Sequence, residues 1–463
     1  MTARIPRHVA IGNATRIVAI FLCFCGLLLA QSLFSGAAQT MPPQAATATA
    51  AARNAALIGA TNEVLKETSG LRELSIMKAV QSSTQSRDEI QRAVIKNLDE
   101  ETSPADLHAS EVFLKRLGLA PADFRYRDLM VRLLTEQVAG YYEPKTKQFY
   151  LADWIDVDGQ RPVMAHELTH ALQDQHFNLR RFEKWPKGDS DAELAAHALI
   201  EGDATLAMVM YIATNPLRAL TFLKSIGTLS AASEELNKSP RAIRESLLFP
   251  YEEGLNWTRD VYRRGGWSEV SQAFTTLPQS TEQILHPEKY FAHEAPVKVM
   301  LPDLVPRLNA MQQSRQSGWR KLSSDVEGEW GLYLILDQFL KTPAESRQAA
   351  AGWAGDRLDL YENSSGEVVY VSSSKWDSEA DAREFFDAYA KRVSLQYPSA
   401  LKDPDVRDVS GFRTSDGEVL ITIRGASVFV VATPASVQAN QLMCVINNEA
   451  PNCRRSVAVI FSR

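Results

Sequence analysis

Pro162-Val163-Met164-Ala165-His166-Glu167-Leu168-Thr169-His170-Ala171-Leu172-Gln173-Asp174-Gln175-His176-Phe177 reads as a single helix that carries the most specific chemistry in the chain. Pro162 suits a first helical turn, and Leu168 with Leu172 forms an apolar stripe beside the histidines. Histidines at i and i+4 project from one face a turn apart, so the imidazoles of His166 and His170 can reach one metal ion. Glu167 then falls beside the open coordination position. A catalytic zinc site takes three protein ligands and keeps a fourth position for water, so a third ligand is required. The bland alternative is two solvated helix histidines with a glutamate between them.

Two residues compete for the third position. His176 stands ten residues after His166, the metzincin spacing, but Gln173 occupies the place where that pattern has a glycine to turn the backbone toward the metal. Without the turn, the helix carries His176 off the metal-binding face. The other candidate is Glu201, in Ala195-Ala196-His197-Ala198-Leu199-Ile200-Glu201-Gly202-Asp203-Ala204, on a second helix from Ser190 to Ala213. Ser190-Asp191-Ala192-Glu193 reads as a capping box, and Leu206, Met208, Val209, Met210 and Ile212 make this helix apolar almost all round, hence buried. A buried carboxylate is costly unless it is paired or bound to a metal, so Glu201 needs a cation: a metal ion or a buried arginine. His197 and Asp203 are candidate outer partners, able to hold a ligating imidazole in one tautomer.

At these positions the chain resembles the gluzincin zinc metallopeptidases, which carry His-Glu-x-x-His on one helix and a glutamate ligand on a later one. The resemblance covers His166, Glu167, His170 and Glu201, and the 31 positions from His170 to Glu201 suit a second helix returning to the first. The Asn-Glu-x-x-x-Asp form of the third-ligand helix is absent. The resemblance implies a zincin-like, mainly helical catalytic domain with Zn2+ held by His166, His170 and Glu201. It also implies Glu167 as general base and a peptide or protein as substrate. More broadly, Gly140 to about Tyr290, including Ser280-Thr281-Glu282-Gln283-Ile284-Leu285-His286-Pro287, is similar to a group of exported bacterial proteins.

Export is also written at the N-terminus. Arg4, Arg7 and Arg16, the uncharged run Ile17 to Ala30 and then Ser35-Gly36-Ala37-Ala38 follow the order of a secretory signal peptide over residues 1–38. The 14 apolar residues fall short of the roughly 20 that cross a bilayer, so an uncleaved anchor is the lesser reading and no stable membrane span is expected after cleavage. The mature chain is expected to be periplasmic or secreted, its charge moving from −6 to −9 with the three arginines gone. Residues 39–60, rich in Ala, Thr and Pro, read as a linker or pro-segment. The peptidase domain is expected over 61–308 and a smaller α+β C-terminal domain over 309–463.

Composition agrees with an ordinary globular protein: of 463 residues, 45% are hydrophobic and 23% charged, which excludes a disordered chain. With 50 basic against 56 acidic side chains there is no basic face to suggest a nucleic-acid partner. Gly265-Gly266 follows Arg263-Arg264 without the Lys-Ser/Thr of a phosphate loop and reads as a helix stop. Cys444 and Cys453 either close a small loop or remain buried thiols. Tyr141 to Leu151 reads as a β-hairpin ahead of the metal helix, either an edge that aligns an extended peptide or a structural cover for the helix. Tyr142 and His286 are candidates for stabilising a tetrahedral oxyanion, although His286 before Pro287 also suits a plain helix end. The stretch Pro216 to Pro296 reads as helical with breaks at Pro240, Pro250, Gly265-Gly266 and Pro278. Beyond Leu308, β-runs at Arg357 to Glu362, Glu367 to Ser373, Val419 to Arg424 and Ala426 to Ala432 surround a helix at Ser378 to Leu395.

The expected fold class is therefore α+β, and the expected activity that of an exported zinc metallopeptidase. A second reading, from another class, is a non-catalytic envelope protein in which a metal or ion-pair network only fastens two helices while the C-terminal domain binds a partner. A fourth protein ligand in the water position, from His176 or His197, would mark that case.

Overall fold

Alanine gives up no side-chain entropy in a helix, and the Ala-rich stretch expected to be linker is helical from its Ala50: α1 spans Ala50–Arg72. The computed structural model describes residues 50–137, 140–154, 157, 159–184, 188–219, 233–311, 318–403 and 407–447. The expected leader (1–38), residues 39–49 and Cys453 lie outside them. Leu57, Val64 and Leu65 of α1 are buried, so the helix packs against the folded body from Leu57 onward.

β1 (Gln81–Gln85) follows, then α2 (Arg87–Glu101), opened by a capping box in which Ser86 Oγ accepts from Glu89 N and the Glu89 carboxylate accepts from Ser86 N. A second box, Ser103 with Asp106, opens α3 (Pro104–Arg116), and α4 (Tyr126–Gln137) completes this helical layer. The aromatic hairpin forms as its alternation demands: β2 (Gly140–Glu143) and β3 (Gln148–Ala152) pair antiparallel with Tyr141 opposite Tyr150. β1 joins β3 in parallel, which gives the order β1-β3-β2 and leaves β2 at an edge.

The two central helices are α5 (Arg161–Phe177) and α6 (Ser190–Ala213). The cap of α6 differs from the expected box: Asp189 is the N-cap and accepts from Ala192 N, because the Ser190 hydroxyl is drawn to Asp325 instead. After α7 (Ser233–Lys238), α8 (Arg241–Ala273) takes Pro250 into its interior, where a break was expected. Gly265-Gly266 does interrupt it, with Gly266 at φ +67°, a conformation only glycine adopts readily.

α6 and α8 cross with their backbones nearly touching. A Cβ on Gly202 would lie 2.2 Å from the Gly254 carbonyl oxygen, and one on Gly254 would lie 2.3 Å from that of Ala198. Backbone cannot rotate out of the way, so Gly202→Ala must push the helices apart and is expected to cost about 3 kcal/mol, the upper end of overpacking effects. A urea midpoint equal to wild type would contradict this.

α9 (Thr281–Leu285), α10 (Pro287–Phe291) and α11 (Val305–Met311) lead to β4 (Arg320–Asp325), α12 (Gly328–Leu340) and α13 (Pro343–Ala350). Then come β5 (Trp353–Glu362), β6 (Val368–Trp376), α14 (Glu379–Gln396), β7 (Leu401–Lys402), β8 (Val409–Thr414), β9 (Gly417–Arg424), β10 (Ser427–Thr433) and α15 (Ala439–Ile446). The strands form one antiparallel sheet in the order β4-β5-β6-β10-β9-β8-β7, so the fold is α+β. Phe385 and Tyr389 of α14 pack on one face of the sheet, while Leu308 of α11 and Leu442 of α15 pack on the other. Cys444 of α15 is disulfide-bonded.

One apolar core runs from Ile90 and Val94 of α2 through Leu199 of α6 and Trp257 of α8 to Trp330, Leu358 and Val430 beyond. Polar contacts reinforce that continuity at the start of α6. Ser190 N and Oγ donate to Asp325 at 2.9 and 2.7 Å, Arg357 Nη1 donates to Gly188 O at 2.6 Å, and Thr281 joins Asp191 to the backbone N–H of Trp330. The N-terminal turn of α6 is thus clamped by the C-terminal sheet. Among the described residues, no helix is long and apolar enough to cross a membrane.

Candidate metal centre

α5 is buried over most of its length, and its histidine face meets α6. His166 Nε2 lies 3.1 Å from His170 Nε2 and 3.2 Å from Glu201 Oε2, and His170 Nε2 lies 3.5 Å from the same oxygen. These three side chains, at 1%, 0% and 1% exposure, form a buried group that can hold a metal ion. Glu201 Oε1 has no hydrogen-bond partner among the described residues, an orphaned buried acceptor beside two imidazole nitrogens. Such a convergence of lone pairs calls for a cation.

Without a metal, a proton answers that call. Burial opposes charge on His170, but the carboxylates of Glu201 and Glu167 outweigh it and hold its pKa at about 9. Burial likewise pushes Glu201 up, and the two histidines overcome it to bring that carboxyl to about 2. The signs of the linkage differ. His170 lies above its ordinary 6.5, so its contribution to stability is complete below that pH and is lost as pH rises through about 9. Glu201 lies below its ordinary 4.5, so its contribution is present above that pH and is lost as pH falls through about 2. The chelator-stripped chain is therefore expected to melt at a lower temperature at pH 9.5 than at pH 6.5, the window set by His170. A melting temperature that does not fall across that window would contradict the proton's role.

Glu167 is fully buried next to the donors, its Oε1 3.9 Å from His166 Nε2. Its other oxygen accepts the backbone N–H of Tyr142 at 3.0 Å, and the Tyr142 hydroxyl donates to Asp174 Oδ2 at 3.0 Å. Tyr142 therefore fastens the edge strand β2 to α5 at two points, main chain to Glu167 and side chain to Asp174. The hairpin covers the metal helix at this position, the second of the two roles open to it. The Tyr142 hydroxyl is committed to Asp174, and its own burial, followed by the Asp174 charge, pushes its pKa well up. Tyr251 of α8 stacks on the other side, its ring 6.1 Å from that of His166.

The remaining sequence candidates fall elsewhere. His176 Nε2 bonds Ser75 O at 2.8 Å, as expected once the helix continues through Gln173 without a turn. His197 is buried on α6 but does not join the donor group. His286 pairs with Glu329 at 3.0 Å and lines a cavity of about 340 Å³ with Trp330, Tyr333 and Arg347. Asp203 holds Gln173 and Arg72 rather than an imidazole, and it is Gln173 that bonds His170 Nδ1 at 2.8 Å. Sequence reasoning passed over Gln173 as an outer partner, although its place three residues after His170 put it on the same helix face.

Residues 315–443 match the model of a domain of unknown function (DUF8575). The match covers the antiparallel sheet with α12 to α14 and stops short of the metal centre. No curated protein and no solved structure matches the chain.

Proposed function

We propose that this protein is an exported zinc-dependent peptidase in which His166, His170 and Glu201 hold the ion and Glu167 is the general base. The observation that carries the reading is the donor triangle, with edges of 3.1, 3.2 and 3.5 Å. A tetrahedral zinc with bonds of about 2.0–2.1 Å separates its ligands by about 3.3 Å, and three protein donors leave one vertex of the tetrahedron unassigned. The resemblance to gluzincins at the same four residues supports it independently, and the N-terminal order of arginines, apolar run and small residues supports export. Bound zinc supplies Lewis acidity that polarises a peptide carbonyl and acidifies a water molecule.

The chain's own residues do the rest. Glu167 is oriented by the Tyr142 N–H on one oxygen, and its carboxylate takes the proton of the attacking water and passes it to the departing amine nitrogen. The carbon–oxygen bond forms first and the carbon–nitrogen bond breaks afterwards, as the nitrogen takes up the proton, so one water is consumed and one peptide bond is lost. The test is hydrolysis of denatured protein or a fluorogenic peptide library by the zinc-loaded full chain. Activity is expected to vanish with a chelator and return with zinc, and its absence across the library would overturn the reading.

The near-complete burial of all three ligands favours one other reading, a structural ion that fastens α5 to α6. In that case the chain binds zinc and melts at a lower temperature when stripped, but hydrolyses nothing. Its cobalt-substituted form would then keep an unchanged absorption spectrum when a small hydroxamate is added.

A further inference from the structure

His170 turns Nδ1 to the side-chain oxygen of Gln173 at 2.8 Å. The orientation of that amide is fixed by its other end, because the amide nitrogen faces two groups that only accept, Ile200 O at 3.0 Å and Asp203 Oδ2 at 2.9 Å. The oxygen must then face the imidazole and accept from it. In the neutral imidazole that binds an ion, Nδ1 therefore keeps the hydrogen and Nε2, the atom in the donor triangle, offers the lone pair. Asp203 is held in turn by Arg72 at the end of α1, whose Nε donates to Oδ1, and both side chains are fully buried. The guanidinium lies 4.4 Å over the Trp267 ring, and its Nη1 reaches Ser271 Oγ at 3.2 Å. A single relay thus runs from α1 through α6 to α5.

From this chain of contacts we infer that Gln173, oriented by Asp203 and Arg72, is a positioning residue that fixes the tautomer of His170 and sets the affinity of the centre for its ion. The inference rests on the metal reading above. A Gln173 amide turned the other way would present N–H to Nδ1 and leave the neutral imidazole's one hydrogen on Nε2, which then has no lone pair for an ion. Asp203 prevents the turn because a carboxylate accepts on both oxygens, one from Arg72 and one from Gln173. Partners of this kind are worth about 10–100-fold in metal affinity. Arg72 supplies the charge that makes a buried carboxylate tolerable at that place.

The experiment titrates zinc into the metal-free full chain against a chromophoric chelator, for wild type, Gln173→Leu, Gln173→Glu, Asp203→Asn and the Gln173→Glu/Asp203→Asn double variant. Gln173→Leu is expected to bind about 10–100-fold more weakly and Asp203→Asn about 10-fold more weakly, since asparagine cannot accept from both neighbours. Gln173→Glu keeps an oxygen facing Nδ1 but turns its other oxygen to Asp203 and Ile200 O, so alone it is expected to bind about 10-fold more weakly; adding Asp203→Asn, which offers that oxygen an N–H, is expected to restore affinity to within about 3-fold of wild type. A slowly exchanging Nδ1–H resonance of His170 should persist in the zinc-loaded wild type and the double variant and be lost in Gln173→Leu, a readout that a merely structural role would not move. Equal affinity of folded Gln173→Leu and wild type, or a Gln173→Glu/Asp203→Asn double variant that binds no tighter than Gln173→Glu alone, would overturn the relay. Should Gln173→Leu fail to fold, a double variant that binds no tighter than Gln173→Glu decides against it. A folded wild type that takes no zinc overturns the metal reading itself, whereas zinc bound alike by every variant overturns the relay alone.

Discussion

Glu201→Ala is expected to leave the purified chain without bound metal, while His176→Ala keeps a full equivalent. The first substitution removes the sole carboxylate of the donor triangle and leaves two imidazoles on consecutive turns of α5. The lost oxygen is the negative charge nearest both Nε2 atoms, in a site where neither imidazole nor carboxylate meets water. Interactions between charges are strongest where water is excluded, so the fall in affinity should exceed the roughly 10–100-fold that an outer partner is worth. His176 instead bonds the backbone of Ser75, so its truncation leaves the triangle intact. Elemental analysis of the two proteins after reconstitution checks this. The opposite pattern, with metal lost only from His176→Ala, would return the third ligand to the metzincin spacing.

Glu167→Gln is expected to keep the ion and lose hydrolysis by about 10²–10⁴-fold, the usual worth of a general base. The amide has the shape of the carboxylate, and its oxygen can still accept the Tyr142 N–H that orients the side chain. What it cannot do is take a proton. Metal content and melting temperature should therefore match wild type while the turnover number on a peptide substrate falls. A Gln variant that turned over like wild type would sink the assignment of Glu167, and one that lost its zinc would show that Glu167 serves the ion rather than the water.

The helices that build the centre were legible because their signals are local. The i, i+4 histidines and Pro162 marked α5 to within one residue, and the almost all-round apolar character of the helix through Ile212 marked α6 and the burial of Glu201. The four expected β-runs of the C-terminal part each fall on a strand, since alternation and β-branching are local as well. What escaped depends on contacts between segments distant in the chain. Ser190 was read as part of a capping box, but its hydroxyl serves Asp325, 135 positions away. Arg72 sits in a stretch of the expected peptidase domain to which no chemistry was assigned, and only its pairing with Asp203 makes it part of the centre. Gln173 was noticed for the glycine it replaces, whereas its role comes from Asp203 and Ile200 on another helix. Pro250 read as a break because proline removes a backbone donor, yet the packing of α8 against α6 carries the helix through it.

The clamp between Ser190 and Asp325 bears on how this protein can be cut and recombined. Glu201 lies three turns along the same helix whose first turn is tied to the end of β4, within the segment matched as a domain of unknown function. Deleting or exchanging residues 315–443 would strip the start of α6 of its hydrogen-bond acceptor and of the neighbouring Arg357 contact at Gly188. The matched segment and the first turn of α6 are therefore interdependent parts, and a viable graft between relatives must move both together or redesign the seam between them.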